Sequence, residues 1–134
     1  THNLQPEIYY NDAEKELAEV GAKLLLETLP KYLDGELLPK EQDHNQATFT
    51  KMFEREDGKI NWSEPSEKIF AKIRALNPEP GTWTTWKGKI INIKKTDFNN
   101  GKIEIKIIQM EGKKEMPFEE FLRGHQDFNI SELK

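Results

Sequence analysis

The stretch Arg74–Trp86 (RALNPEPGTWTTW) places the strongest constraint on the fold of this chain. A proline disfavours helical geometry in the residue before it, so Asn77-Pro78 predicts the end of a helix and Glu79-Pro80-Gly81 a sharp turn. Thr82–Trp86 follows, rich in the β-branched and aromatic residues that favour strands. The chain is therefore expected to change at this corner from helices before it to strands after it.

The composition limits the size of the core. Of 134 residues, 35% are hydrophobic and 33% are charged. This length suits one ordinary domain, or one small domain with a piece of another. The net charge of −4 argues against a protein whose whole surface binds nucleic acid.

The charge is nevertheless uneven along the chain. Residues 1–82 hold 10 Lys and Arg against 16 Asp and Glu, whereas residues 87–114 hold 8 Lys against 3 acids. The second half is therefore locally positive.

The chain has no cysteine, which excludes thiolate chemistry, disulfides and Cys-based zinc sites and is compatible with a reducing compartment. The longest apolar run, Leu24–Leu26, is too short to cross a bilayer, and the first residues lack the basic start and apolar core of a signal peptide. A cytoplasmic location with no membrane partner is expected.

The first half reads as a helix followed by a linker. Glu7–Tyr10 favours a short strand whose neighbours are missing from the sequence. Apolar residues then recur at helical spacing, which predicts a helix from Ala13 to about Leu29 that stops before Pro30. Residues 36–56 have no sustained period and are expected to be extended.

The second half predicts a helix and a small sheet. Ile69, Phe70, Ile73 and Leu76 form a helical stripe leading to the corner. A strand is expected at Gly88–Lys95, and Asn99-Asn100-Gly101 is typical of a two-residue hairpin turn.

The partner strand and the last helix follow from the same rules. In Lys102–Met110, strict alternation puts Ile103, Ile105 and Ile107 on the inner face. Pro117 then starts a short helix, with Phe118, Phe121 and Leu122 expected to face the core.

The strand that follows the corner contains two tryptophans, which are expected to lie on different faces. Trp83 and Trp86 are an odd number of residues apart, so a regular strand places them on opposite faces. One is expected in the core and the other exposed, where it could stack on RNA.

No catalytic motif is present. His2, His44 and His125 are far apart in sequence, which favours structural or solvated roles, and Asp43-His44-Asn45 lies on a segment with no packed scaffold. Phosphate loops, nucleophile elbows and dinucleotide glycine patterns are absent. The residues alone do not indicate a complete enzyme.

The remaining signal is basic. The lysines of the predicted sheet and its turns are expected to lie close together, where they could follow phosphates with little sequence reading. The alternative is that they keep the sheet soluble and protect its edges. This group consists of Lys87, Lys89, Lys94, Lys95, Lys102, Lys106, Lys113 and Lys114.

Several sequence blocks are distinctive when taken together: Leu17–Leu29, Gln42-Asp43 with Ala47–Phe49, Glu56–Trp62, Ile73–Trp83, Gln109–Met116 and Glu119–Gly124. Together these blocks resemble the C-terminal part of methionyl-tRNA formyltransferase. They follow the family's order and cover nearly the whole chain.

The resemblance implies an α+β chain in three parts. Residues 1–36 would be the C-terminal remnant of a Rossmann-type formyltransferase domain, 37–59 a linker, and 60–134 a tRNA-binding domain with a small OB-like β-barrel, closed or partly open. The family usually has further strands where Asn99–Gly101 joins two strands directly, so a reduced barrel is expected.

The resemblance also implies the reaction. The family transfers a formyl group from 10-formyltetrahydrofolate to methionyl initiator tRNA in translation initiation. Its catalytic residues and folate pocket lie in the earlier domain, and no stretch of this chain matches them. The chain is therefore expected to be a monomeric fragment without catalytic residues, bound cofactor or metal, whose partners are initiator tRNA and the missing catalytic domain.

The tRNA-binding candidates are the cations that lie in matching blocks or strands. They are Lys87, Lys89, Lys94, Lys95, Lys113, Lys114 and Arg123. Arg74 also matches a family arginine, and a mixed structural role is expected for it.

Two other hypotheses stay open. The chain could belong to a formyltransferase acting on a sugar nucleotide or on folate, which shares the Asn-Pro-x-Pro-Gly corner, although Glu111–Lys114 followed by Glu119–Leu122 favours the tRNA enzyme. It could also be a non-catalytic interaction domain.

Overall fold

The computed structural model describes residues 2–133 and contains two compact units. One unit combines the N-terminal segment up to Asn11 with the chain from Phe53 onward, and the other is Asp12–Met52.

The second unit is built on helix α1 (Tyr10–Leu33), which has no buried residue. The predicted stop before Pro30 is wrong, because Pro30 lies inside the helix. The helix ends instead at Leu33 and is capped by Gly35, whose φ of +75° is readily adopted by glycine. The Gly35 N–H donates to Tyr32 O (3.2 Å) and the Glu36 N–H to Lys31 O (2.9 Å), which is a Schellman motif.

The first unit has α+β architecture around a four-stranded antiparallel sheet. Its elements are α2 (Ser66–Leu76), β1 (Thr82–Trp86), β2 (Lys89–Asn99), β3 (Lys102–Met110), β4 (Glu115–Pro117) and α3 (Phe118–Gly124), with 3₁₀ turns at Arg55–Gly58 and Ile130–Glu132. The strand order is β1-β2-β3-β4. The predicted α+β class and the direct hairpin joining β2 to β3 are confirmed.

Helix α2 supplies one side of the core. Ile69, Phe70, Ile73 and Leu76 are buried, as their spacing predicts. The core continues through the sheet and α3; its further members include Ile60, Trp86, Ile91, Ile93, Ile105, Ile108, Phe121 and Leu133. Phe118 packs against this core, but the prediction for Leu122 is wrong, because its side chain is exposed.

The corner between α2 and β1 is closed by one side chain. The Asn77 amide nitrogen lies 2.8 Å from Ile73 O, 2.9 Å from Thr82 Oγ1 and 3.1 Å from Ile93 O. Thr82 Oγ1 also donates to Ile93 O (2.7 Å). Asn77 therefore joins the end of α2, the start of β1 and the middle of β2.

Both tryptophans of the corner are buried, so the expectation of an exposed one is wrong. Trp86 (4% exposed) packs edge-on against Phe121, and Trp83 (8% exposed) lies on the opposite face of β1. Residues 55–60 cover that opposite face: Trp83 Nε1 donates to Arg55 O (2.9 Å), and the Ile60 N–H donates to Trp83 O (2.8 Å).

The alternation predicted for β3 fails after Ile105. Register shifts interrupt the β2–β3 pairing on either side of Lys95, one with an extra residue in β2 and the next with an extra residue in β3. Each extra residue inverts the facing of the residues beyond it. Ile108 is consequently buried in the core, while Ile107, which strict alternation placed inside, is only partly buried.

The N-terminal segment of the first unit is not a strand, contrary to expectation. Its contacts are made by side chains: the Tyr9 hydroxyl donates to Thr96 O (2.8 Å) and accepts from the Thr96 N–H (3.0 Å). The Arg74 guanidinium donates to Pro6 O and Ile8 O, both at 3.0 Å. The segment is therefore held by β2 and α2.

Candidate nucleic-acid interface

Four of the candidate lysines lie at one end of the sheet. Residues 87–88 join β1 to β2, and residues 111–114 join β3 to β4. Because the Trp86–Lys89 and Ile91–Met110 pairs are neighbours in the antiparallel sheet, the two turns share an end. We call this end, with Lys87, Lys89, Lys113 and Lys114, the lysine end.

Lys87 is the most restrained of the four. It has φ of +50° in a tight turn with Gly88 (φ +74°), which is typical of a hairpin of the I′ type. Its Nζ lies 4.9 Å from the centroid of the Trp86 ring and forms an ion pair with Asp127. The hydrogen bond from Lys87 lowers the pKa of the Asp127 carboxyl, so this cation is already partly neutralised.

Lys89 and Lys113 line one cavity of about 440 Å³. The other lining residues are Met110, Glu111, Met116, Phe121 and His125. Two hydrogen bonds hold the turn that carries Lys113: the Lys113 N–H donates to Met110 O (3.0 Å), and the Gln109 side-chain Nε2 donates to Lys113 O (2.9 Å). We call this concavity the methionine cavity.

Lys94 and Lys95 lie at the register shifts in β2. Lys94 is half-buried, and its Nζ is 3.8 Å from a carboxylate oxygen of Glu115. Lys95 is exposed. The two side chains therefore differ in their availability to a phosphate, although they are adjacent in sequence.

Lys114 and Arg123 are exposed, on the β3–β4 turn and in the last turn of α3. Within residues 2–133, no acidic group lies within ion-pair distance of Lys89, Lys95, Lys113, Lys114 or Arg123. The structure thus separates the seven candidates into five without an ion pair and two, Lys87 and Lys94, with one.

Lys106, another lysine of the sheet, forms ion pairs within the protein, which is the alternative to phosphate binding. Lys106 Nζ is 3.0 Å from Glu104 and 3.4 Å from Asp97. The hydrogen bonds to Glu104 and Asp97 raise the pKa of Lys106, and the pKa of Glu104 is lowered by the same contact. This lysine is paired with Glu104 on its own strand and with Asp97 on the neighbouring strand.

Arg74 is placed away from the lysine end. Besides its bonds to Pro6 O and Ile8 O, its guanidinium carbon lies 4.8 Å from the centroid of the Phe70 ring. Its contacts are structural, in line with part of the role expected for it.

Sequence reasoning missed the methionine cavity. Met110 and Met116 flank the Glu-Gly-Lys-Lys turn, and this spacing across a tight turn is the signal that could have paired them. His125 stacks on Phe121 at 4.3 Å between ring centroids, and its Nδ1 is 3.0 Å from Phe121 O. The helix end and the turn together form the cavity wall.

The capacity to bind a metal ion or to enter a membrane also bears on function. Among residues 2–133, no group of three or more His, Asp and Glu side chains is arranged to hold a metal ion. In the same part of the chain, no helix is both long and apolar enough to cross a membrane.

Comparison with known proteins gives one family match and several similar proteins. Residues 52–103 match the family described as "Formyl transferase, C-terminal domain". A methionyl-tRNA formyltransferase of Dictyoglomus turgidum is 38% identical over 87% of this chain and 45% of its own length. The same enzyme of Carboxydothermus hydrogenoformans is 35% identical over 92% of the chain and 48% of its own length, and that of Roseiflexus castenholzii is 46% identical over 67% and 29%.

The chain thus spans less than half of the length of each of these relatives. The matching domain and the similarity over most of the sequence agree with each other. Residues 52–103 match the C-terminal domain family of formyl transferases, and the chain is similar to the C-terminal part of methionyl-tRNA formyltransferases.

Proposed function

We propose that this chain holds the tRNA substrate of a methionyl-tRNA formyltransferase. The observation that carries the proposal is the similarity of 87% of the chain to relatives bearing that name. The same names favour the tRNA enzyme over a sugar-nucleotide or folate formyltransferase.

The proposed reaction transfers a formyl group from 10-formyltetrahydrofolate to methionyl initiator tRNA. The chain would contribute tRNA binding, while the folate donor and the reacting atoms would be held by a catalytic domain. Formyl transfer by the 134-residue chain alone is expected to be undetectable.

The domain plan belongs to the same proposal. Residues 1–36 would end the Rossmann-type domain with α1, residues 37–59 would be the linker, and residues 60–134 would form an OB-like, partly open barrel. The exposed leucines of α1, among them Leu24, Leu25 and Leu26, support a helix made to pack on a further domain. With this role, the protein would act in the cytoplasm as a monomer.

The interface is proposed to be the lysine end, extended by Lys95 and Arg123. Exposed cations without an acidic partner can neutralise phosphates and release their counterions, which supplies affinity that falls with salt. Lys87 and Lys94 contribute less in this proposal, because each would first have to leave a carboxylate.

The test is tRNA binding by the full chain at several salt concentrations. Lys114→Gln and Lys95→Gln should each reduce the slope of log Kd against log salt by about one. Lys106→Gln is the matched control, since this paired lysine of the same sheet should leave the slope unchanged. Binding that is insensitive to salt, or equal slopes in all variants, would contradict the proposal.

A further inference from the structure

We infer that the methionine cavity binds one unstacked nucleotide of RNA, with the base inside the cavity and its phosphate between Lys89 and Lys113. The inference rests on the proposed tRNA-holding function and adds a specific subsite to it. A surface that binds only the phosphate backbone of RNA needs only cations, whereas this cavity also has an apolar interior.

The shape and lining fit a nucleobase. A volume of about 440 Å³ falls at the lower end of small-molecule sites, which span roughly 300–1,000 Å³. Phe121 closes the floor at 1% exposure, and Met110 and Met116 are partly buried. Methionine is flexible and polarisable, and it packs favourably against aromatic rings.

His125 gives the cavity wall a polar group of fixed orientation. Its ring is parallel to Phe121 within 15° and meets Trp86 edge-on at 5.4 Å between centroids. A carbonyl oxygen can only accept, so the contact with Phe121 O assigns the proton to Nδ1. In the neutral ring, Nε2 is then the nitrogen left to accept a hydrogen bond, such as one from the amino group of a base.

Charge selects the class of ligand. Lys89 and Lys113 outnumber Glu111 among the lining residues, and within residues 2–133 neither lysine has an ion-pair partner. A ligand with a planar apolar part and an adjacent anion matches this arrangement. Proteins that recognise RNA loops and single strands hold unstacked bases in this way, on side-chain surfaces beside cations.

The three methionines of the chain allow a direct test. The full chain, labelled at the methionine methyl groups, is titrated with a short single-stranded oligoadenylate while its NMR signals are followed. The Met110 and Met116 signals should shift with a common affinity. Met52, which is 90% exposed and outside the cavity, is the internal control and should not shift.

An abasic strand of the same length separates base binding from phosphate binding. It keeps the phosphates and should leave the Met110 and Met116 signals in place. Equal shifts with both strands would overturn the inference, as would shifts caused by an apolar acidic peptide but not by oligoadenylate.

Adjacent lysines provide matched variants. Lys113→Gln should weaken oligoadenylate binding by about tenfold, and the neighbouring Lys114→Gln, which lies outside the cavity lining, by about twofold or less. Lys89→Gln and Lys95→Gln form a second pair on β2. Equal losses within each pair would contradict the cavity.

Failure of the inference can be told from failure of the proposed function. If tRNA binds in a salt-dependent way and oligoadenylate does not shift Met110 or Met116, the nucleotide subsite is wrong and the tRNA role stands. If neither RNA binds, both are wrong.

Discussion

Gly58 shows how closely the backbone approaches itself at the corner. A Cβ built on Gly58 would lie 1.9 Å from the carbonyl oxygen of Gly81, and Gly58 is buried. We expect Gly58→Ala to lower the free energy of unfolding by about 3 kcal/mol, because backbone rather than a flexible side chain would have to move. Urea unfolding followed by tryptophan fluorescence measures this.

Gly124→Ala is the control for that substitution. A Cβ at Gly124 meets nothing within 4 Å, and the residue lies in the last turn of α3. Stability should be unchanged or slightly raised, since alanine favours helix over glycine by about 1 kcal/mol. Similar losses in the two variants would show that the close approach to Gly81 is not what limits residue 58.

Lys87 and Asp127 give a prediction on pH. The hydrogen bond from Lys87 lowers the Asp127 pKa, so Lys87→Met should raise that pKa toward its ordinary value of 3.8. A carboxyl whose pKa is depressed on folding stabilises the fold above its ordinary pKa, and this contribution is lost as pH falls through the lowered value. The stability difference between the variants should therefore vanish in acid.

Carboxyl-detected NMR of Asp127 measures this pKa directly. Because both side chains are exposed, the pair is screened by solvent and its effect on stability should be small. An Asp127 pKa that is the same with lysine and methionine at position 87 would show that the ion pair is not maintained in solution.

At the scale of elements, local chemistry predicts where helices and turns lie better than which way side chains face. Helix α2, strand β1 and the Asn100-Gly101 turn follow from residues close together in sequence. The paired register shifts beside Lys95 do not, because isoleucines occupy both Ile107 and Ile108 and either could fill the core. For the same reason, the separation of Lys94 near Glu115 from exposed Lys95 was not predictable.

The corner between α2 and β1 can be tested by removing the side-chain hydrogen bonds that hold it. Asn77→Ala should destabilise the unit by about 2–3 kcal/mol, because it removes donors that join α2, β1 and β2 inside the core. Thr82→Val should cost about 1–2 kcal/mol through loss of its bond to Ile93 O.

The double variant measures whether the two side chains act together. They share a hydrogen bond and an acceptor, so the combined loss should fall short of the sum by at least about 0.5 kcal/mol. Strictly additive losses in chemical denaturation would mean that Asn77 and Thr82 stabilise the corner independently.

At the scale of the whole molecule, some hydrogen bonds join residues that are far apart in sequence. The Tyr9–Thr96 hydrogen bonds join positions 87 residues apart, and no local pattern predicts such a pair. For helix α1 the local pattern is informative, but the contacts of its exposed face are not predictable from it. Its spacing does predict an amphipathic helix, but not what would cover the leucines.

The N-terminal segment is thereby part of the unit that contains the sheet, and Tyr9 and Tyr10 test this. Tyr9→Phe should lower the free energy of unfolding by about 1–3 kcal/mol, because it removes the hydroxyl that bonds to both the N–H and the carbonyl oxygen of Thr96. Tyr10→Phe is the matched control, since Tyr10 is exposed and should change stability by less than about 0.5 kcal/mol.

Hydrogen exchange identifies the cause of such a loss. The Thr96 N–H donates to the Tyr9 hydroxyl at a point where the β2–β3 ladder changes register, so its protection depends on Tyr9. In Tyr9→Phe this amide should exchange faster, while the Ile91 amide, in the regular part of β2 between Thr84 and Met110, should lose only what the global destabilisation accounts for. If Thr96 exchange and stability are both unchanged, residues 2–9 are not docked in solution, and the sheet unit begins at Phe53.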